Sequence, residues 1–203
     1  MTTFLLIRHA ECVGYGERIT GRSSGVHLTS EGLENADKLA RRLSGIPIEH
    51  ICSSPMERTM DTAAPLARSL GIAVQSCDGL QEVDFGSWTG LSFSELADLP
   101  RWREWNTFRS GIRVPGGGEM ICEVQARMVA EIERLQDKYP EGTIALFSHG
   151  DPIKTALACY LGIPLDNILR LTISPSSVSV LRVGGWGAEV TCINSLYGKL
   201  MIT

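Results

Sequence analysis

The stretch Phe4-Leu5-Leu6-Ile7-Arg8-His9 decides the fold of this chain. Four consecutive apolar residues predict a short strand that is buried on both faces, as in an α/β sheet. The pattern returns at residues 143–147, which are followed by Ser148-His149-Gly150. Ligands of open α/β sheets bind outside the carboxyl ends of the strands. We therefore expect His9 and His149, which each follow a strand, to face one site.

The predicted elements alternate between helices and strands along the chain. From Thr29, leucines and alanines recur at helical spacing until Gly45, which predicts an amphipathic helix. Similar patterns predict helices at 55–70, 124–135 and 152–161, and strands at 48–52, 72–74, 177–183 and 190–193. We predict one α/β domain over residues 1–203, with a mostly parallel central sheet and helices on both of its faces.

Composition limits the classes of partner. The 203 residues are 43% hydrophobic and 21% charged, with a net charge of -4, values typical of a globular protein. An acidic balance gives no global field that would attract nucleic acid or an anionic membrane. The opening apolar run is too short for a signal peptide or a membrane span. We expect neither a nucleic-acid nor a membrane partner, and a homo-oligomer remains one alternative for assembly.

The cysteines and the two other histidines predict no metal site. The six cysteines form no C-x-x-C pair, which argues against a zinc site or a disulfide framework and favours the reducing cytoplasm. His27 and His50 have no carboxylate or cysteine at metal-ligand spacing, so we interpret both as structural. Any binding of anions must come from local groups.

Three side chains fit the needs of phosphoryl transfer, which requires positive charge around the phosphoryl oxygens and an in-line nucleophile. Arg8 can supply charge and His9 can be the nucleophile. Arg58 follows Ser54-Pro55, which predicts a helix start, and anions are favoured at that end of a helix. A guanidinium there could bind two phosphate oxygens at once, although an arginine on a helix is more often solvated.

Two carboxyl groups are candidates for the acid that protonates the leaving oxygen. Glu82 lies among the apolar residues of Leu80-Gln81-Glu82-Val83-Asp84-Phe85, and burial there would raise its pKa and keep it protonated. Asp84 is the rival. Spacing alone does not choose between them.

The constellation resembles the histidine phosphatase superfamily, also called the phosphoglycerate mutase-like family, in its phosphatase branch. The resemblance rests on six ordered blocks: Leu6-Ile7-Arg8-His9-Ala10-Glu11; Leu28-Thr29-Ser30-Glu31-Gly32; Ser53-Ser54-Pro55-Met56-Glu57-Arg58-Thr59 with Asp61-Thr62-Ala63; Glu82 to Gly90; Pro115 to Glu119; and Ser148-His149-Gly150. It implies a phosphate pocket of Arg8, His9, Arg58 and His149, joined by Gly150, with His9 phosphorylated and Glu82 as proton donor. It also implies that no metal or cofactor is needed.

The chain departs from the family pattern after His9. The family often reads Arg-His-Gly-Glu-Thr with a tryptophan and an asparagine soon after, whereas this chain has Ala10, Cys12 and Val13-Gly14-Tyr15. A phosphate contact from that asparagine is therefore in doubt. Arg18 or Arg22 could meet further negative charge on a substrate.

We expect a phosphomonoesterase that hydrolyses a small phosphorylated metabolite through a phosphohistidine. The nearest alternative is a cofactor-dependent phosphoglycerate mutase, although mutases of the family usually carry a longer insertion between the Glu82 block and the glycine-rich block. A second alternative is a non-catalytic phosphate-recognition protein, but neither the nucleophile nor the acid is lost. The pattern does not name the substrate, since loops rather than the fold determine it.

Overall fold

In the sheet of the computed structural model, five of the six strands described run in one direction and the remaining strand runs in the opposite direction. The model describes residues 1–198 and residue 200. Its strands are β1 (Thr2–Arg8), β2 (His50–Ser53), β3 (Val74–Ser76), β4 (Thr143–Ser148), β5 (Val178–Gly184) and β6 (Gly187–Ser195). Their order in the sheet is β3-β2-β4-β1-β5-β6. The first four in this order pair in parallel, and β5 pairs antiparallel with both β1 and β6. The predicted mostly parallel sheet is confirmed.

Helices cover both faces of the sheet, as predicted. They are α1 (Ser30–Leu43), α2 (Glu57–Leu70), α3 (Phe93–Ala97), α4 (Pro100–Thr107), α5 (Ile121–Lys138) and α6 (Gly150–Leu161). Successive side chains of a strand point to opposite faces. Phe4 and Leu6 accordingly join the core under α5 and α6, whereas Leu5 and Ile7 join the core under α1 and α2. Truncating one such leucine to alanine would cost about 2–5 kcal/mol of stability.

Helix α1 follows its sequence signals closely. The side chain of Thr29 caps it by accepting a hydrogen bond from the backbone N–H of Gly32 at 3.0 Å. Its buried face is small and apolar, with Ala36, Leu39 and Leu43 turned inward. Leu33, which shares the helical spacing, is 52% exposed instead.

Helix α2 begins later than predicted. The sequence places the cap at Ser54 and a proline at the first helical position, but the helix starts at Glu57 with Met56 as its N-cap. The reason is that Ser54 continues the sheet, because its N–H donates to the carbonyl of Phe147 at 2.9 Å. Arg58 is therefore the second residue of the helix. At the other end Gly71 adopts φ 68°, the left-handed conformation expected of a helix stop.

A long stretch of the chain, residues 81–119, lies between β3 and α5. We call it the cover segment. It holds short helices and loops around a cluster of Trp88, Trp102 and Trp105, in which the last two rings stack at 5.4 Å between centroids. Trp105 is fully buried and Trp88 is nearly so, which places this cluster in the core. A side chain on Gly86 would collide with the carbonyl of Pro115, so the glycine permits a close approach of two loops.

Candidate active site

The two histidines meet because their strands are neighbours. Arg8 and Ser148 are register partners at the carboxyl ends of β1 and β4. The N–H of His9 donates to the carbonyl of Ser148 at 3.0 Å, which continues the pairing by one residue. The imidazole centroids of His9 and His149 are 5.2 Å apart. The parallel register thus brings together residues that are far apart in the sequence.

The backbone of the next residue fixes the ring of His9. Its Nδ1 lies 2.7 Å from the carbonyl oxygen of Ala10 and donates to it, which leaves Nε2 with the free electron pair. The N–H of Ala10 in turn donates to Thr62 Oγ1 at 2.9 Å. Burial, followed by the positive charges of Arg58 and Arg8, lowers the pKa of His9 well below its usual value. The imidazole is therefore neutral at neutral pH and able to act as a nucleophile.

The ring of His149 is held through its other nitrogen. Its Nε2 lies 2.9 Å from Ser54 Oγ, and a hydroxyl that donates there leaves the hydrogen on Nδ1. That Nδ1 lies 3.8 Å from Glu82 Oε2. Burial, followed by the charge of Arg58, lowers the pKa of His149 well below its usual value. The ring can therefore serve as a neutral hydrogen-bond donor.

Two arginines present unused donors beside these rings. Arg58 is fully buried, and its Nη2 donates to the carbonyl of Gly21 at 2.7 Å. Arg8 Nη1 donates to the carbonyl of Ile173 at 2.6 Å. Among the described residues no hydrogen-bond partner exists for Arg8 Nε, Arg58 Nε, Arg58 Nη1 or His149 Nδ1, all of which are buried. An unpartnered buried donor costs about 1–3 kcal/mol, so the four together form a site that favours an anion.

The amino end of α6 adds to this positive field. Gly150 is the first residue of the helix and His149 is its N-cap. Helix N-termini stabilise anions through free N–H groups and the helix dipole. A Cβ on Gly150 would lie 3.4 Å from Arg8 Cζ, so the glycine lies directly beside the guanidinium.

The two candidate acids have different surroundings. Glu82 lines the same cavity as His9 and Arg8, and its Oε1 accepts from the N–H of Val83 at 2.9 Å. Burial, followed by the negative charge of Asp151, raises the pKa of Glu82. Asp84 Oδ1 instead accepts from the N–H of Gly86 at 2.9 Å, within the backbone of its own loop. This geometry favours Glu82 as the acid.

Arg22 lies behind the site rather than in it. Its Nε donates to the backbone carbonyl of Glu82 at 2.8 Å, and its Nη2 is 2.9 Å from Glu119 Oε2. Among the described residues, Arg22, Arg58 and His149 all lie outside the lining of the cavity, but only Arg58 and His149 keep buried donors without a partner. The contact with substrate expected of Arg22 stays a prediction, and the contacts seen hold the backbone of Glu82 in place.

The cavity in front of His9 has a volume of about 430 Å³, within the usual range for small-molecule sites. A larger hollow of about 600 Å³ lies between α1 and residues 174–198, and it contains none of the predicted site residues. The outer wall of the smaller cavity contains Tyr15, from the stretch that departs from the family pattern, and four side chains that the sequence did not assign to the site: Phe93, Arg109, Asp151 and Lys154.

Some of the missed residues left a signal in the sequence and others did not. Asp151 directly follows the Ser148-His149-Gly150 block and so had to lie near the strand end. Arg109 comes from the cover segment, and its Nη1 reaches Asp151 Oδ2 at 2.7 Å across 42 residues of sequence. Nothing in local spacing announces such a contact. Local spacing also did not predict the contact of Ser54 with His149, because the sequence pattern indicated Ser54 as a helix N-cap.

In the described part of the chain, no group of three or more His, Cys, Asp or Glu side chains is arranged to hold a metal ion. No helix over residues 1–198 has both the length and the apolar character needed to cross a membrane.

Comparison with known proteins gives relatives of similar sequence. The chain is 34% identical over 195 residues to the bifunctional protein Rv2228c of Mycobacterium tuberculosis, covering 93% of this chain and 52% of that protein. The chain thus spans about half the length of that relative. It is 28% identical over 191 residues to phosphoserine phosphatase 1 of Hydrogenobacter thermophilus, covering 90% of this chain and 87% of that one.

The comparisons also show a shared fold and a family. Phosphoserine phosphatase from Entamoeba histolytica, solved in complex with 3-phosphoglyceric acid, matches with a TM-score of 0.87 at 25% identity, over 96% of this chain and 98% of that one. The profile of the histidine phosphatase superfamily (branch 1) matches residues 4–196. Since the match covers nearly the whole chain, the resemblance noted in the sequence is confirmed, and the chain belongs to the histidine phosphatase superfamily.

Proposed function

We propose that this protein hydrolyses phosphate monoesters through a phosphohistidine formed on His9. One observation carries the proposal: buried donors of Arg8, Arg58 and His149 without partners among the described residues lie around an imidazole whose Nδ1 is fixed and whose Nε2 is free. A phosphoryl group supplies the acceptors that these donors lack. The name of the Hydrogenobacter relative, a phosphoserine phosphatase, supports the same class of reaction.

The first step transfers the phosphoryl group to the protein. His9 Nε2 attacks the phosphorus atom in line with the ester oxygen, and the bond from nitrogen to phosphorus forms as the bond to that oxygen breaks. The oxygen takes the proton of Glu82 and leaves as an alcohol. Arg8, Arg58, the N–H of Gly150 and Nδ1 of His149 stabilise the negative charge on the phosphoryl oxygens.

The second step returns the protein to its starting state. A water molecule attacks phosphorus from the side that the alcohol has left, and the ionised carboxylate of Glu82 takes its proton. The bond from phosphorus to nitrogen breaks, and orthophosphate leaves. His9 is again neutral and Glu82 is again protonated, so atoms and charges balance over the cycle.

The setting of the reaction follows from the same observations. We infer a single domain over residues 1–203 that acts on a small phosphate ester and needs no metal or cofactor, because Arg8 and Arg58 supply the positive charge. The free state of its described cysteines supports a reducing compartment such as the cytoplasm. Hydrolysis, rather than transfer to a second substrate as in a mutase, is the outcome we favour.

A panel of phosphate esters tests the proposal. Orthophosphate release should continue in EDTA and should be inhibited by vanadate, whose trigonal-bipyramidal form mimics the transition state. Full loss of activity in EDTA, restored by a divalent ion, would overturn the metal-independent mechanism. Phosphate that appears on a second substrate instead of as orthophosphate would indicate a mutase.

A further inference from the structure

The stretch of chain that carries Glu82 is held by side chains rather than by a helix or a strand. Residues 81–85 belong to neither kind of element, and backbone carbonyls without a ladder need other partners. We call residues 79–84 the acid segment. The carbonyls of its first four residues each accept a hydrogen bond from a side chain: Gly79 and Gln81 from Arg127, Leu80 from Ser148, and Glu82 from both Arg127 and Arg22.

Arg127, on helix α5, makes most of these contacts. Its Nη1 donates to the carbonyls of Gly79 at 2.8 Å and Gln81 at 2.7 Å. Its Nη2 donates to the carbonyl of Glu82 at 3.0 Å. Its Nε and Nη2 also donate to the two carboxylate oxygens of Glu119, at 2.9 Å and 3.1 Å. A guanidinium has five N–H donors, so Arg127 uses its full set on the acid segment and on one carboxylate.

Glu119 holds the other end of the acid segment. Its Oε2 accepts from the N–H of Asp84 at 2.9 Å, and its own N–H donates to the carbonyl of Asp84 at 3.0 Å. The side chains of Arg127 and Glu119 are only 19% and 18% exposed, so water screens this pair less than a pair on the surface. The pair therefore fixes the acid segment from both ends.

Arg127 and Glu119 lie behind the acid rather than at the reaction. Among the residues that the structure describes, neither of the two lines the cavity, whereas Glu82 does. Oε2 of Glu82 lies 3.8 Å from Nδ1 of His149, so the carboxyl is on the side of the site while its backbone is on the side of Arg127. A displacement of about 1 Å in a reacting group can lower a rate about 100-fold. The position of the backbone of Glu82 thus matters for proton transfer.

We propose that Arg127 is a positioning residue for the proton donor: together with Glu119 it fixes the backbone of Glu82 so that the carboxyl faces the leaving oxygen. The inference rests on the proposed function, because it takes Glu82 as the acid. It assigns Arg127 no contact with the substrate. A lysine in its place would keep the charge but would lack the planar set of five donors, so one substitution separates geometry from charge.

The first test compares kcat/KM for ethyl phosphate with that for para-nitrophenyl phosphate. Arg127→Met removes every donor, so the value for ethyl phosphate should fall about tenfold to 100-fold. The value for the nitrophenyl ester should fall less than about threefold, because a stable phenolate needs little protonation. Arg127→Lys should show the same selective loss. Equal losses on the two esters, or full recovery with lysine, would overturn the proposal.

A matched control comes from the same helix. Arg134 also pairs with a glutamate, Glu131, at 2.6 Å, but its side chain is 47% exposed. Arg134→Met should leave both rates unchanged. Circular dichroism and a thermal melt check that each variant folds. If Arg127→Met does not fold, Glu119→Gln removes the charge of the partner at similar volume and should give the same selective loss, about threefold to tenfold.

A double variant tests whether Arg127 acts through Glu82. In a Glu82→Gln background, adding Arg127→Met should change kcat/KM for ethyl phosphate less than about twofold, because the acid that it positions is already lost. A loss as large as in the wild-type background would show that Arg127 acts by another route, and would overturn the proposal.

The pKa of Glu82 separates this proposal from the proposed function. Burial, followed by the negative charge of Asp151, raises that pKa, and the charges of Arg58 and Arg8 oppose the rise. Arg127→Met leaves these three charged groups in place. A carboxyl that moves out toward water should have a lower pKa, closer to the ordinary value, whereas loss of the positive charge of Arg127 alone would raise it.

Carbon NMR of protein labelled at the glutamate carboxyl groups measures this pKa, and the signal of Glu82 is assigned by its absence in Glu82→Gln. A lower pKa in Arg127→Met supports the positioning role even if no ester is hydrolysed, in which case the proposed function alone fails. An unchanged or higher pKa in a folded Arg127→Met variant overturns the positioning role even where both esters are turned over.

Discussion

The ends of β1 and β4 carry the same pattern, an apolar strand followed by a histidine, yet the two rings are held in opposite ways. His9 is anchored through Nδ1 to the backbone carbonyl of Ala10, so Nε2 is free. His149 is anchored through Nε2 to the side chain of Ser54, so Nδ1 is free. Only His9 lines the cavity, whereas His149 is fully buried behind it.

Position at a strand end therefore does not by itself determine the role of a histidine. A nucleophile needs a free electron pair that reaches the substrate, and the anchor of His9 provides it. The charge-stabilising role proposed for His149 needs a free N–H, and its anchor to Ser54 leaves the hydrogen on Nδ1. The following variants test whether the two rings differ in function as they do in hydrogen bonding.

The largest effect is expected from His9→Ala. Turnover should fall by at least about 10⁴-fold, since no other nucleophile can form the covalent intermediate. The fold should persist, as judged by circular dichroism. Labelled substrate should leave label on the wild-type protein that is lost in acid and kept in base, and none on the variant. An acid-stable adduct would contradict a phosphohistidine.

Glu82→Gln should slow esters of alkyl alcohols by about 10²-fold to 10⁴-fold. Activated phenyl esters should lose far less, because a stable phenolate needs little protonation. The matched control is Asp84→Asn. Because the carboxylate of Asp84 is bonded within its own loop, this variant should show a leaving-group dependence near that of the wild type. A steeper dependence in Asp84→Asn than in Glu82→Gln would move the acid to Asp84.

His149→Leu keeps a similar volume but removes the donor beside Glu82. The rate should fall by about 10²-fold to 10³-fold, the usual effect of losing one donor to a developing charge. Label should still be found on His9, in contrast to His9→Ala. Complete absence of label in a folded His149→Leu variant would mean that the two histidines are not distinct in role.

The pH profile of kcat/KM should be bell-shaped with an optimum on the acidic side of neutral. Activity should rise as pH rises through the lowered pKa of His9, because only the neutral ring attacks. It should fall as pH rises through the raised pKa of Glu82, because the acid must hold a proton. Each limb should change about tenfold per pH unit. Glu82→Gln should remove the limb on the alkaline side, and its persistence there would exclude Glu82 as its source.

The smallest effects are expected from the anchors. Ser54→Ala frees the ring of His149, and Thr62→Val removes the acceptor of the Ala10 N–H. Each should lower kcat about threefold to tenfold, since a hydrogen bond of this kind contributes about 1 kcal/mol. A change in KM with kcat unaltered would show that these residues act on binding and not on the orientation of the rings.

Much of the fold could be predicted because its signals are local. The apolar runs of β1 and β4 and the helical spacing of α1 and α5 depend on residues a few positions apart. The predicted start of α2 was wrong because it depends on contacts with residues far away in the sequence. Ser54 has the chemistry of a helix cap, but its hydroxyl is held by a histidine 95 residues away.

The site was predictable where its residues are adjacent in the sequence, and less predictable where the fold brings distant residues together. Arg8 and His9 are adjacent in the sequence, and the strand pattern alone indicated their position. The choice between Glu82 and Asp84 needed the direction of each carboxylate, which spacing two residues apart does not give. The engagement of Arg22 with Glu119 and of Arg109 with Asp151 depends on how the cover segment folds back.

The four buried donors without partners among the described residues should also bind the product of the proposed reaction. They recognise phosphoryl oxygens whatever the phosphorus is bonded to, so orthophosphate satisfies them as well as the ester does. Contacts with the alcohol are lost when it departs, but these donors keep an anion to bind. On the proposed mechanism we therefore expect orthophosphate to inhibit the protein as a product, and the rate of hydrolysis to fall as free phosphate accumulates.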